Sequence, residues 1–215
     1  FALMAWRGDL AEHGSLLAWG ASVTGANGLD AAWRLLACTF LHAGAAHIFF
    51  NATSMLIYGP AVERVFTRWG FLWIYAAGGA LASAASMAWR GWRHPGIESL
   101  SVGASGAIFA LGGALIVAGW RLRHRLAPSR ARALAASTLF LVMQGFVSGV
   151  TRNGTDNAAH AAGLASGALL GMLAPLSERL GGRGAGWVGR ALGLAAALAL
   201  AATFAWSVRS GMGLR

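Results

Sequence analysis

Four polar residues stand in otherwise apolar surroundings: His47, Asn51, Ser105 and His160. A serine hydroxyl is a weak nucleophile until a base takes its proton. A histidine can take it near neutral pH. Attack on an amide then creates an oxyanion, which needs preorganised donors. The backbone N–H of Ser105, the side-chain amide of Asn51 and a ring N–H of His47 are donors of the right kind. His47 and Asn51 lie four residues apart, so on a helix they share one face. The set therefore offers a nucleophile, a base and an oxyanion site, with hydrolysis passing through an acyl-enzyme on Ser105. No acid is placed to complete a triad, so the arrangement is a Ser105–His160 dyad. No pattern of histidine and carboxylate ligands suggests a metal, and no cofactor is called for. The lone Cys38 can form neither an internal disulfide nor a cysteine-built metal site.

Each residue also has a structural reading. A lone serine in a membrane helix usually bonds its own i−4 carbonyl or a neighbouring helix. His47 with Asn51 could join two helices, and Gln144 reads the same way. His42 is five residues from His47 and cannot share its face, so a loop-capping role suits it better than catalysis.

The elements that must carry these groups follow from composition. Of 215 residues 57% are hydrophobic and 11% charged, against roughly 25% charged in an average soluble domain. Mean hydropathy is +0.58. A soluble globular domain, a disordered tail and a disulfide-built secreted module are thereby excluded. The net charge of +10 comes from 17 basic residues, all arginine. A nucleic-acid binder can be as basic but is not this apolar. A polytopic helical membrane protein with arginines in short loops fits both observations. The 31 glycines suit membrane helices that pack through small residues.

A membrane helix needs about 20 mostly apolar residues. The stretches Leu35–Val62, Trp69–Trp89, Val102–Trp120, Ala133–Thr151, Asn157–Ser177 and Ala191–Val208 meet that need without an Asp, Glu or Arg inside. The first is too long for one helix and is read as starting near Ala45. Phe1–Trp6 is an apolar stub ended by Arg7, read as the tail of a first span that is largely missing. Residues 8–34 read as an interfacial loop. Arg121, Arg123, Arg125, Arg130 and Arg132 make the most positive loop, which marks the cytoplasmic side. Alternation then places Arg64, Arg68, Arg179, Arg183 and Arg190 inside. Arg7, Arg34, Arg90, Arg93, Arg152, Arg209 and Arg215 fall outside.

The spans carrying the polar residues all enter from the outer face, so His47, Asn51, Ser105 and His160 share one depth. Ionisable groups inside a membrane are costly and mark function by default. His160, Gly163 and Gly167 form one helix stripe, and Ser105, Phe109 and Gly112 form another. If the stripes meet, the backbones approach closely and Phe109 packs against the His160 ring.

From Trp33 to Gly171 the chain resembles the rhomboid intramembrane serine proteases. The residues that carry the resemblance are Trp33-Arg34 followed by His42, then His47 and Asn51, then Glu63-Arg64. Gly103-Ala104-Ser105-Gly106 and Ala159-His160-Ala161-Ala162-Gly163 with the later Gly167 complete it. The resemblance implies an all-α, polytopic transmembrane bundle of six core spans. The added C-terminal helix makes this the six-plus-one form, with the first span truncated. It implies Ser105 as nucleophile, His160 as base, and His47, Asn51 and Ser105 as the oxyanion donors. Gly103, Gly106, Gly163 and Gly167 would support the packing. Trp33 and Arg34 would belong to a first loop sunk in the outer leaflet, and Glu63 would make structural contacts at the inner end of its span. Phe109 stands where many relatives carry a tyrosine that stacks on the catalytic histidine.

The expected organisation is a catalytic membrane domain over residues 1–177 and an additional loop and helix over 178–215. The expected activity is a serine endopeptidase that cleaves transmembrane segments of other proteins in the bilayer, without a nucleic-acid partner. Arginine, alanine and glycine richness without lysine suggests a bacterial cytoplasmic membrane, with the site toward the outer side. Two alternatives are weighed. A non-catalytic rhomboid-like protein that binds client helices would typically lack the serine or the histidine. A transporter or channel would place polar groups at several depths.

Overall fold

The computed structural model describes residues 1–9, 12–26, 28–125, 127–151 and 154–213. It is mostly helical. The helices are α1 (Ala2–Arg7), α2 (His13–Trp19), α3 (Gly28–Ala37), α4 (Ala45–Arg93), α5 (Ser105–Arg121), α6 (Pro128–Thr151), α7 (Asn157–Leu173) and α8 (Gly186–Gly211). Of these, α4 and α8 are long and apolar enough to cross a membrane. Many large apolar side chains face outward, among them Phe49, Leu56, Leu81, Phe140, Leu173 and Leu198. A soluble protein would pay for such a surface in aggregation, whereas a bilayer covers it.

The two apolar stretches expected as separate spans make up α4, which is two helices meeting at a kink. At Thr67 the backbone leaves the helical region (φ 67°, ψ 166°), which divides α4 into arms over 45–66 and 68–93. The arginines at 64 and 68 therefore flank a kink rather than sit in a loop. The second arm lies against α5 through small residues. A Cβ added at Gly79 would come within 2.9 Å of Ala107 Cβ, and one added at Gly106 within 2.9 Å of Ala82 Cβ. Val62, Phe66, Ile74, Ile108, Leu111, Leu115 and Leu122 fill the space between α4 and α5 and are buried.

The closest crossing joins α5 and α7. Gly163 and Gly167 recur at four-residue spacing on α7, with Gly171 one turn further on. A side chain at Gly163 would run into the Gly106 carbonyl, one at Gly167 into the Ala110 carbonyl, and one at Gly171 into Ala114. The face of α5 toward α7 therefore carries Gly106, Ala110 and Ala114 beside the expected Ser105 and Phe109, which both meet His160. Small residues bring the two backbones into contact, which is how membrane helices gain packing energy in an apolar solvent. α7 stops at Leu173, four residues before the expected end. Ala174 precedes Pro175, and the residue before a proline avoids helical geometry. Arg121 then caps α7, its Nη1 donating to the carbonyls of Gly171 (2.7 Å) and Ala174 (2.6 Å).

Residues 8–34 are not a featureless loop. They hold α2, the start of α3 and a short strand β1 (Ser22–Val23) that pairs antiparallel with β2 (Leu100–Ser101). The expected helical bundle holds, and this two-residue ladder is the strand pairing added to it among the described residues; it is too short to leave an alternating pattern in the sequence. Met4, Leu16, Trp19, Ala21 and Leu41 form a second small core beneath these elements. α8 braces the same region. Its Phe204 meets Phe40 edge-on at 5.3 Å, Ser207 Oγ donates to the Trp19 carbonyl, and Gly211 packs on the Trp19 ring. Further along, Gly193 packs on the backbone of Trp69. Arg152 and Arg215, counted toward the outer side, lie outside the described residues.

Candidate active site

Ser105 is the first residue of α5, and His160 lies one turn into α7. The glycine crossing sets these two helix starts against each other. Ser105 Oγ and His160 Nε2 are 2.9 Å apart. The Phe109 ring, one turn below Ser105, lies flat on the His160 ring at 4.3 Å with 5° between planes. That stack fixes the imidazole plane while Nε2 points at the hydroxyl. His160 is buried, and its Nδ1 has no partner among the described residues.

Opposite this pair, the first arm of α4 presents His47 and Asn51. The Ala43 N–H donates to His47 Nδ1 at 3.4 Å. That leaves the proton on Nε2. A Cβ built on Gly103 would come within 2.7 Å of His47 Nε2 and 3.6 Å of Asn51 Nδ2. A side chain at Gly103 would therefore collide with the His47 ring beside Asn51. The Gly103 φ of 122° is also one that side-chain-bearing residues rarely adopt. The Asn51 Nδ2 amide is buried with no partner among the described residues, so it is free to donate. Ser105 opens its helix, and first-turn N–H groups have no intrahelical acceptor. The three groups border a cavity of about 630 Å³, lined also by Phe50, Ser54, Ile108 and Gln144. Its donors can receive an anionic oxygen placed between Asn51, His47 and the Ser105 N–H.

Two expectations change here. His42, placed apart from the site, meets the His47 ring edge-on at 5.0 Å. A loop joins them, so the helical spacing argument did not apply. Gln144, expected to join helices, makes no hydrogen bond among the described residues and instead borders the cavity.

Asp156 is the residue that the sequence reading missed. It sits four positions before His160 and caps α7, its Oδ1 accepting the Ala159 N–H at 2.9 Å. Its Oδ2 accepts from Ser86 Oγ (2.6 Å) and Ser101 Oγ (2.7 Å) and pairs with Arg90 at 3.1 Å. Burial works against its charge most strongly. The hydroxyls, the backbone N–H and Arg90 together outweigh it and hold the carboxyl below the usual aspartate value. Asp156 thus ties α4, β2 and α7 together at the mouth of the cavity, without reaching His160 Nδ1. The signal was available: Asp followed by apolar helix is an N-cap pattern.

The remaining sequence-derived residues lie away from the cavity. Arg34 organises the first loop, its Nη1 donating to the Leu17 carbonyl at 2.7 Å while its guanidinium stacks on Trp33. Trp33 packs on Gly20. Glu63 is exposed near the kink of α4 and makes no hydrogen bond or ion pair among the described residues, so the expected structural contacts are not found.

Comparison with known proteins identifies the family. A Rhomboid domain model matches residues 30–176. YdcA of Bacillus subtilis is 31% identical over 163 residues, covering 74% of this chain and 77% of the relative. RHOMBOID-like protein 4 of Arabidopsis thaliana is 34% identical over 150 residues, and Rhomboid protease GluP of Bacillus subtilis 32% over 167. The matches cover 67% and 78% of this chain but only 34% and 31% of those longer relatives. The family model spans the segment that holds the serine, both site histidines and the glycine crossing, and the chain belongs to the rhomboid family.

Proposed function

We propose that the protein is an intramembrane serine endopeptidase that hydrolyses peptide bonds in or near transmembrane segments of other membrane proteins. The observation that carries this reading is the 2.9 Å contact of Ser105 Oγ with His160 Nε2, beside the free donors of His47 and Asn51. Relatives named as proteases, such as GluP, support it. His160 takes the proton of Ser105 as the hydroxyl attacks the scissile carbonyl. The oxyanion is held by the Ser105 N–H, His47 Nε2 and Asn51 Nδ2. His160 then gives the proton to the leaving amine, and water, activated in the same way, releases the acyl group from Ser105. A helical substrate must unwind locally, because its scissile amide is otherwise tied up in its own hydrogen bonds. Small or helix-breaking residues near the cut are therefore favoured.

The same reading makes α4 two spans and α5, α6, α7 and α8 one each, with residues 1–177 as the catalytic membrane domain and α8 as the six-plus-one addition. It places the chain in a bacterial cytoplasmic membrane with the cavity toward the outer side. Ser105→Ala and His160→Ala are each expected to abolish cleavage of a reconstituted transmembrane substrate and labelling by a fluorophosphonate, with insertion unchanged. Cleavage at the native rate by Ser105→Ala would overturn the dyad assignment, whereas neither cleavage nor labelling by the native chain would leave a client-binding role.

A further inference from the structure

The arginines at the other end of the bundle fall into two groups. Arg121 and Arg125 are occupied. Arg121 caps α7, and Arg125 Nη1 donates to the carbonyls of Leu180 (3.2 Å) and Gly181 (2.8 Å). Arg64, Arg68 and Arg179 make no hydrogen bond or ion pair among the described residues, yet they converge on one cleft of about 430 Å³ at the kink of α4. One carboxylate, Glu63, shares the cleft, so the balance is positive.

Three features make this a shaped site rather than a scatter of surface charge. First, the wall carrying Ser177 and Arg179 is pinned. The Ser177 N–H donates to the Val65 carbonyl at 2.7 Å, the Gly182 N–H to the Ser177 carbonyl at 3.0 Å, and Arg125 holds the turn that follows. Second, the Thr67 hydroxyl in the opposite wall is buried without a partner among the described residues. Its backbone is the only non-glycine positive φ among the described residues, and such strain is stored where a site needs it. Third, Arg68 stacks on Trp69 at 5.1 Å, which holds the guanidinium plane and leaves its N–H edges free. Tryptophan of this kind marks the level of lipid headgroups.

We propose that this cleft binds a phosphate-bearing anion, and that in the membrane the ligand is the headgroup of an anionic phospholipid. Guanidinium forks match phosphate oxygens two at a time, and the Thr67 hydroxyl supplies a further donor. Basic pockets between membrane helices take acidic headgroups for the same reason. Thr67 lies twenty residues along α4 from His47, or about 30 Å at 1.5 Å per residue. The cleft is thus separate from the cavity at Ser105, and the proposal rests on the membrane-spanning reading, not on the protease chemistry.

The purified full chain in neutral detergent is titrated calorimetrically with dioctanoyl phosphatidylglycerol, dioctanoyl phosphatidylcholine and inorganic phosphate. Phosphatidylglycerol is expected to bind saturably at one site. That binding weakens about tenfold or more in Arg68→Gln and in Arg179→Gln, as charge-assisted contacts are lost. It is unchanged in Arg123→Gln, an exposed arginine that bonds only its own turn. Arg68→Lys, which keeps charge but loses the fork, falls between. Inorganic phosphate binding as tightly as the lipid, with the same variant dependence, assigns the cleft to a soluble phosphate instead. Equal binding of the two lipids, or unchanged binding in both glutamine variants with native thermal unfolding, overturns the proposal.

Discussion

The two faces of α5 beside Ser105 are packed by different means. Toward α7, backbone meets backbone: Gly163 and Gly167 sit on the carbonyls of Gly106 and Ala110. Toward α6, contact runs through side chains. Phe109 meets Phe146 edge-on at 5.8 Å, and Gly145 lies against the Phe109 ring. The α4 residue Tyr58 ties α6 in from the side, its hydroxyl donating to the Ser137 carbonyl at 2.6 Å. Much of α6 is otherwise exposed, including Leu139, Phe140 and Met143. A backbone contact cannot yield without moving a whole helix, whereas a ring can turn. The difference means that the Ser105–His160 distance is set on the unyielding face, and that the wall over the His160 ring is the adjustable one.

Breaking the rigid face should have the largest effect. Gly167→Val places a branched side chain in the Ala110 carbonyl and has no flexible neighbour to displace. Overpacking of this kind costs about 1–3 kcal/mol or more. The expected outcome is a lower unfolding temperature in detergent together with substrate cleavage reduced by about 100-fold or more, because displacement of about 1 Å can cost that much. Native cleavage in a stable Gly167→Val protein would show that α7 is free to shift.

Next comes the cap that holds the same face at its end. Asp156→Ala removes one N-cap, worth about 0.5–2 kcal/mol, and leaves Ser86, Ser101 and Arg90 without their shared acceptor. Cleavage should fall about tenfold, through a loosened start of α7. Because Asp156 has its folded value depressed, its contribution to stability is full above the ordinary aspartate range. It is lost as pH falls through the lower folded value. Thermal unfolding followed against pH should therefore show an acid-side loss in the native chain that is absent from Asp156→Asn. Equal acid dependence in both would remove this group from the account.

The adjustable face should respond less. Phe109→Ala removes the stack on His160, an interaction worth about 0.5–1.5 kcal/mol beyond burial. It should lower kcat several-fold with KM nearly unchanged. Gly145→Ala should do no more than Phe109→Ala, since its methyl meets the tip of the Phe109 ring, a side chain rather than backbone, and acts only by tilting that ring on His160. A change under about threefold in kcat/KM is expected where an added methyl can be absorbed. An effect of Gly145→Ala as large as that of Gly167→Val would erase the distinction between the two faces.

The site was legible because its groups are expensive where they stand. Ser105, His160, His47 and Asn51 interrupt apolar helices, and the Gly163–Gly167 spacing announced the close crossing. Asp156 escaped notice because a carboxylate just outside a span looks like an ordinary loop charge. Its weight comes from Ser86, Ser101 and Arg90, which are distant in sequence and meet it only in the fold. The contact of His42 with His47 escaped because the distance between them is set by the turn before α4. The ladder of β1 with β2 and the brace of α8 on Trp19 left no local pattern either, since both are pairings of remote segments.

Sequence alone determined that the chain is apolar, helical and built for close packing, and which few polar side chains it carries inside. These follow from local composition and period, because lipid leaves a backbone little choice but helix. Only the tertiary structure decided the rest. It joined two expected spans at a kink, set Ser105 and His160 2.9 Å apart, made Asp156 a junction of three elements and gathered three unpaired arginines into one cleft. Each of these depends on which carbonyls and side chains meet across helices, and that is fixed by packing rather than by neighbours in the chain.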